Sequence, residues 1–91
     1  MNLFNPDLSL RITDLVRRLL EEQALDLVEI SVKRQNRRIL IDVLADKPRG
    51  GITVSECAAL NKFIGEEIEK KNLVEDSYVL SVASPGLDRP L

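Results

Sequence analysis

The sequence predicts an α+β fold: a small α-β-β-α-β sandwich with two helices packed on one face of a short β-sheet. Three observations predict it. Apolar residues recur at helical spacing from Leu8 to Leu19 and again from Val54 to Ile68. Between these stretches, apolar and polar residues alternate in steps of two from Val28 to Val43. The alternation returns from Tyr78 to Val82. A chain of 91 residues has room for one such core and not for two, so residues 1–91 are expected to form a single domain.

The elements follow in order. Over residues 8–23, Leu8, Ile12, Leu15, Val16 and Leu19 form one stripe while Asp14, Arg17, Arg18 and Glu21 fall opposite, an amphipathic helix. Asn5 is placed to cap it, with Pro6 in the first helical position, where a missing N–H costs nothing. Val28, Ile30 and Val32 then alternate with Glu29, Ser31 and Lys33, and Ile39, Ile41 and Val43 follow the polar connection Arg34-Gln35-Asn36-Arg37; this is a β-hairpin pattern. Leu40 and Leu44 fall in the opposite phase, which predicts that the second strand is covered on both faces for part of its length.

The run Asp46-Lys47-Pro48-Arg49-Gly50-Gly51 breaks the strand, since proline fixes φ and the glycines free it. A second helix starts at once. Thr53 and Glu56 have capping-box spacing, and Ile52 with Cys57 can form a hydrophobic staple around it. Val54, Cys57, Leu60, Ile64 and Ile68 form its core stripe, so Cys57 is expected to be a small buried residue with an inert thiol. Asn72 suits the helix exit. Tyr78, Leu80 and Val82, alternating with Val79 and Ser81, make a third strand, and Ser84-Pro85-Gly86-Leu87 carries the Pro-Gly pair of a type II turn.

Composition narrows the function. The chain is 44% apolar and 31% charged, as in ordinary globular domains. Its longest unbroken apolar run, Cys57-Ala58-Ala59-Leu60, is far below the ~20 residues of a spanning helix, so no membrane partner is expected. The first residues carry neither a basic region nor an apolar block, and the expected compartment is the cytoplasm. There is no histidine and one cysteine, which excludes hydrolytic triads and cysteine-rich zinc sites. Glu66 and Glu67 diverge around a helix and are no acid/base pair. No catalysis, cofactor, metal or small-molecule substrate is expected, and the binding unit is taken as a monomer.

The net charge is only −2, yet the charges are unevenly placed. Residues 33–55 carry six basic side chains against two acidic ones, and the segments on either side are both net acidic. Arg34, Arg37, Arg38, Lys47 and Arg49 are therefore the candidate contacts to RNA phosphates or acidic protein groups. For any one of them, solvating a hairpin turn and protecting a sheet edge is an equally good account; the clustering favours a binding surface. With Phe4, Phe63 and Tyr78 the only aromatic residues, base stacking is not the basis of recognition. Gly50-Gly51 before a helix is a weak phosphate-loop signal, because the Gly-Lys-Ser/Thr ending is absent. A stand-alone KH-like RNA-binding module is the alternative, but its Gly-x-x-Gly loop joins two helices and Gly50-Gly51 follows a strand.

Three runs carry a family resemblance: Leu25-Asp26-Leu27-Val28-Glu29-Ile30, the stretch from Asp46 to Cys57, and above all Val82-Ala83-Ser84-Pro85-Gly86-Leu87-Asp88-Arg89-Pro90-Leu91. Together they resemble the N-terminal domain of the bacterial ribosome maturation factor RimP over roughly residues 10–91. The resemblance implies a cytoplasmic, non-enzymatic factor that binds the immature small ribosomal subunit, through rRNA or a basic ribosomal protein, and helps its assembly. It also implies a second, small β-barrel domain after the shared motif, with Ser84, Pro85, Gly86, Asp88 and Arg89 as family motif or hinge. Ala24 departs from the pattern: the family usually has glycine there, so a different helix exit is expected.

Overall fold

The computed structural model describes residues 6–48, 51–74 and 77–85. Helix α1 spans Pro6–Glu22, strand β1 Asp26–Gln35, strand β2 Arg38–Asp46, helix α2 Val54–Lys70 and strand β3 Ser77–Ala83. The sheet order is β1-β2-β3, with β1 antiparallel to β2 and β2 parallel to β3. A tight turn suffices for the antiparallel pair, whereas the parallel pair needs a crossover, which α2 supplies. The expected cap Asn5 lies outside the described residues.

Both helices lie on the same face of the sheet. The core joins Ile12, Val16 and Leu20 of α1, Ile39, Ile41, Val43 and Ala45 of β2, and Cys57, Leu60, Ile64 and Ile68 of α2, all buried. Across the sheet, Ile41 stands between Val32 of β1 and Leu80 of β3, and Val43 between Ile30 and Val82, so one inward row runs through all three strands. Helix α2 is clamped to β3 by two polar contacts: the Asn61 amide donates to the Leu80 carbonyl at 2.9 Å, and the Tyr78 hydroxyl donates to the Gly65 carbonyl at 3.3 Å. The first of these satisfies a backbone acceptor on the edge strand.

Several sequence expectations are corrected. Val28 does not continue the inward phase: a β-bulge shifts the register between Leu27 and Glu29, so Leu27 pairs with Ala45 on the core side and Val28 is 52% exposed. The connection between β1 and β2 is only Asn36-Arg37; Arg34 and Gln35 belong to β1. Asn36 has φ 58°, a left-handed conformation that asparagine tolerates. Val54 is 70% exposed and outside the core stripe. At 3.6 residues per turn it lies about 80° around α2 from Ile64, and buried Ile52 reaches the core in its place. Leu40 and Leu44 are half-buried, and no described element lies over their face of β2.

Ala24 keeps the exit that glycine would favour. Its φ is 60°, the Leu25 amide donates to the Leu20 carbonyl at 2.8 Å, and the Ala24 amide donates to the Glu21 carbonyl at 3.0 Å, a Schellman closure with alanine in the left-handed position. The same closure ends α2 with Asn72 at φ 52°. A left-handed alanine costs roughly 1–2 kcal/mol, part of which glycine returns through its looser unfolded chain. Ala24→Gly should therefore stabilise the domain by about 0.5–1 kcal/mol in urea denaturation, and a loss of stability would contradict this reading of the exit.

Candidate functional site

The basic residues singled out in the sequence do not form one cluster. Strand alternation and register divide those of the hairpin between the two faces of the sheet. Arg34 pairs with Ile39 and so lies on the helix side, half-buried. Arg38 pairs with Gln35 on one side and Ser77 on the other and lies on the opposite, open face. Arg37 is at the tip, and both Arg37 and Arg38 are exposed. Lys47 lies at the other end of β2, nine residues beyond Arg38 and roughly 30 Å away at the rise of an extended chain. Arg49 lies outside the described residues.

What converges at the tip is a concavity of about 510 Å³ lined by Gln35, Asn36, Arg37, Arg38, Leu40 and Ser77. Lys33 adds to it. Directly opposite Leu40 in the register, it is exposed on the same open face as Arg38. Lys33 belongs to the basic island of the sequence but not to its candidate contacts; its even spacing from Gln35, which pairs with Arg38 across the two-residue turn, is the signal that sets it on that face. None of Lys33, Arg37 and Arg38 forms an ion pair with a described residue. Further along the open face come Ser31, Asp42 and Ser81, which share one register row, then Leu44 with Ala83.

Lys47 has a structural engagement instead. Its ammonium lies 3.0 Å from the Glu56 carboxylate, and Glu56 completes the capping box of α2: the Thr53 amide donates to Glu56 Oε1 at 2.9 Å and the Glu56 amide donates to Thr53 Oγ1 at 3.1 Å. Gly51, at φ 89°, turns the chain into this cap. The first turn of α2 thus already holds a carboxylate where a phosphate would sit, which argues against a phosphate loop here. The bond from the Thr53 amide, then that from Lys47, holds the Glu56 pKa below its ordinary 4.5. A depressed carboxylate contributes stability that is complete above 4.5 and is lost as the pH falls through the lowered value. Acid titration of stability should accordingly be shallower for Glu56→Gln than for the native chain below pH 4.5, and parallel curves would remove Glu56 from the acid response.

Cys57 is 4% exposed, as is its staple partner Ile52, and burial followed by the nearby Glu56 charge pushes its thiol pKa up. A thiol reagent should label the native chain slowly and the denatured chain fast. Rapid labelling of folded protein would contradict the placement of Cys57 in the core. Among the described residues, no cluster of histidine, cysteine, aspartate and glutamate side chains could hold a metal, and no helix is long and apolar enough to cross a membrane.

The terminal motif is only partly described. Ser84 is 3% exposed, and its hydroxyl donates to Asp46 Oδ1 at 3.4 Å; the Lys47 amide donates to the same oxygen at 2.9 Å. Pro85 is exposed. Gly86, Asp88 and Arg89 lie outside the described residues.

Element order and mixed sheet define a small α+β domain with a basic hairpin tip. The model of the RimP N-terminal domain matches residues 15–88, and the chain belongs to that family. Among solved structures, the chain is similar to the MamB CTD magnetosome protein of Desulfamplus magnetovallimortis BW-1, with 17% sequence identity and a TM-score of 0.62. That similarity covers 89% of this chain and 99% of the other. At this identity the likeness is one of fold. No two helices are consecutive in the element order, so the helix-loop-helix junction of a KH module is not found among the described residues.

Proposed function

We propose that this domain binds the immature small ribosomal subunit and assists its assembly, as a cytoplasmic binding module that acts as a monomer and without catalysis. Family membership supports association with the ribosome. The observation that carries the finer reading is the exposed convergence of Lys33, Arg37 and Arg38 on one end of the open sheet face, beside a concavity of about 510 Å³. Cations held on paired strands and their tight turn meet rRNA phosphates at a small entropic cost, and the scarcity of aromatic residues leaves the backbone rather than the bases as what is read. The acidic outer faces of the helices complement basic ribosomal proteins in the same particle.

Cosedimentation tests the proposal. The chain should pellet with small-subunit particles from immature pools and less with mature small subunits or large subunits. Equal recovery with all three would overturn the assignment to assembly, and recovery with none would overturn ribosome binding through this domain.

A further inference from the structure

The open face of the sheet carries opposite charges at its two ends. Its register rows, taken from the hairpin tip, are Gln35-Arg38-Ser77, Lys33-Leu40-Val79, Ser31-Asp42-Ser81 and Glu29-Leu44-Ala83. Successive rows on one face lie about 7 Å apart, so these span roughly 20 Å. Arg38 and Lys33 make the half at the tip cationic, Asp42 and Glu29 make the other half anionic, and all four side chains are exposed. Phosphates that the first half attracts are repelled by the second. Asp42 is the unusual member. Aspartate is disfavoured in strands, yet this one stands in the middle of the central strand and forms no hydrogen bond or ion pair with a described residue. Ser31 and Ser81 flank it across the strands, about 5 Å to either side, and the apolar pairs Leu40–Val79 and Leu44–Ala83 border this polar row.

We propose that the Asp42 row binds an arginine side chain of an extended protein segment that lies on the open face, beside the rRNA held at the tip. It rests on small-subunit binding by the same face. A guanidinium fits this row in three ways. It meets a carboxylate through two parallel hydrogen bonds and has donors left over for a serine hydroxyl. Its planar, weakly hydrated group suits an apolar border better than an ammonium does. In an extended segment, the residues two before and two after the arginine point to the same side and fall about 7 Å from it, over Leu40–Val79 and Leu44–Ala83. The chemistry recognised is therefore apolar-x-Arg-x-apolar. RNA is the poorer occupant of this half, because its phosphates would run past Asp42 and Glu29.

The test follows the intact 91-residue chain by nuclear magnetic resonance. A blocked synthetic peptide, Leu-Thr-Arg-Thr-Leu, should at millimolar concentration give saturable shifts centred on Leu40, Asp42, Leu44 and Val79. The same peptide with citrulline in place of arginine should give none there. Asp42→Asn keeps the size of the side chain and should weaken the arginine peptide about tenfold or more. A short rRNA hairpin should instead shift Lys33, Arg37 and Arg38 and leave Leu44 and Ala83 in place. Peptide shifts that survive Asp42→Asn, or the lack of any saturable shift, would overturn the proposal: the carboxylate would then only keep the face solvated. Hairpin shifts that run through Asp42 to Leu44 would also overturn it and give the whole face to RNA. Because the peptide arm needs no ribosome, a chain that binds the peptide but no subunit would refute small-subunit binding alone, and the reverse result would refute the arginine site alone.

Discussion

Replacing Lys33, Arg37 and Arg38 together by glutamine is expected to weaken binding to immature small subunits and to flatten its salt dependence by about two to three units in the log–log slope. Each cation that neutralises a phosphate releases about one condensed counterion, so a slope counts phosphate contacts in a way that affinity alone does not. All three side chains are exposed and none pairs with a described residue, so the triple variant should keep its stability within about 0.5 kcal/mol per site. Lys47→Gln is the matched control. It removes the same charge at the far end of β2, where Lys47 is already paired with Glu56, and should leave the slope unchanged. A flattened slope for Lys47→Gln with an unchanged one for the triple variant would move the interface to the other end of the sheet.

The choice of Lys33 over Arg34 shows what the sequence could and could not supply. Period-two alternation and the cap residues made the hairpin, both helices and the α-β-β-α-β order legible, because each is a local preference written in adjacent residues. Register is not local. With two or with four residues in the turn Lys33 shares the face of Arg38, but only the two-residue turn takes Arg34 out of the loop and into β1, opposite Ile39 on the helix side. The bulge at Val28 was hidden for a related reason: Leu27 and Val28 are equally apolar, and only the pairing with Ala45 selects between them. The parallel pairing of β3 with β2 depends on where α2 returns the chain. Ala24 misled because glycine is the usual left-handed residue, whereas two backbone bonds back to α1 hold alanine there against its preference. Ser84 is the converse case. A serine before Pro-Gly suggests an exposed turn, yet its partner Asp46 lies at the end of another strand and could be found only in three dimensions.

Ile41→Ala is expected to have the largest effect on stability, a loss of about 2–5 kcal/mol. Ile41 is fully buried at the middle of the central strand, flanked by Val32 and Leu80 and roofed by both helices. Three missing carbon atoms lose their transfer free energy, and a site walled on both sides by paired strands closes poorly over the gap, so a cavity cost is added. For a domain of this size, total stability is on the order of 5–14 kcal/mol, and each kcal/mol corresponds to about 4–8 °C in Tm. Calorimetry should therefore show a Tm lower by about 10–30 °C, or a chain largely unfolded at 37 °C. Leu40→Ala is the informative comparison, because Leu40 is the next residue in the same strand, half-buried on the opposite face. Its truncation uncovers little and should cost about 1 kcal/mol or less. If the two variants lost equal stability, the face that carries Lys33 and Arg38 would have to be covered in solution and could not serve as the binding surface. A large loss at Ile41 with a small one at Leu40 fits a sheet with one face committed to the core and the other available to a partner.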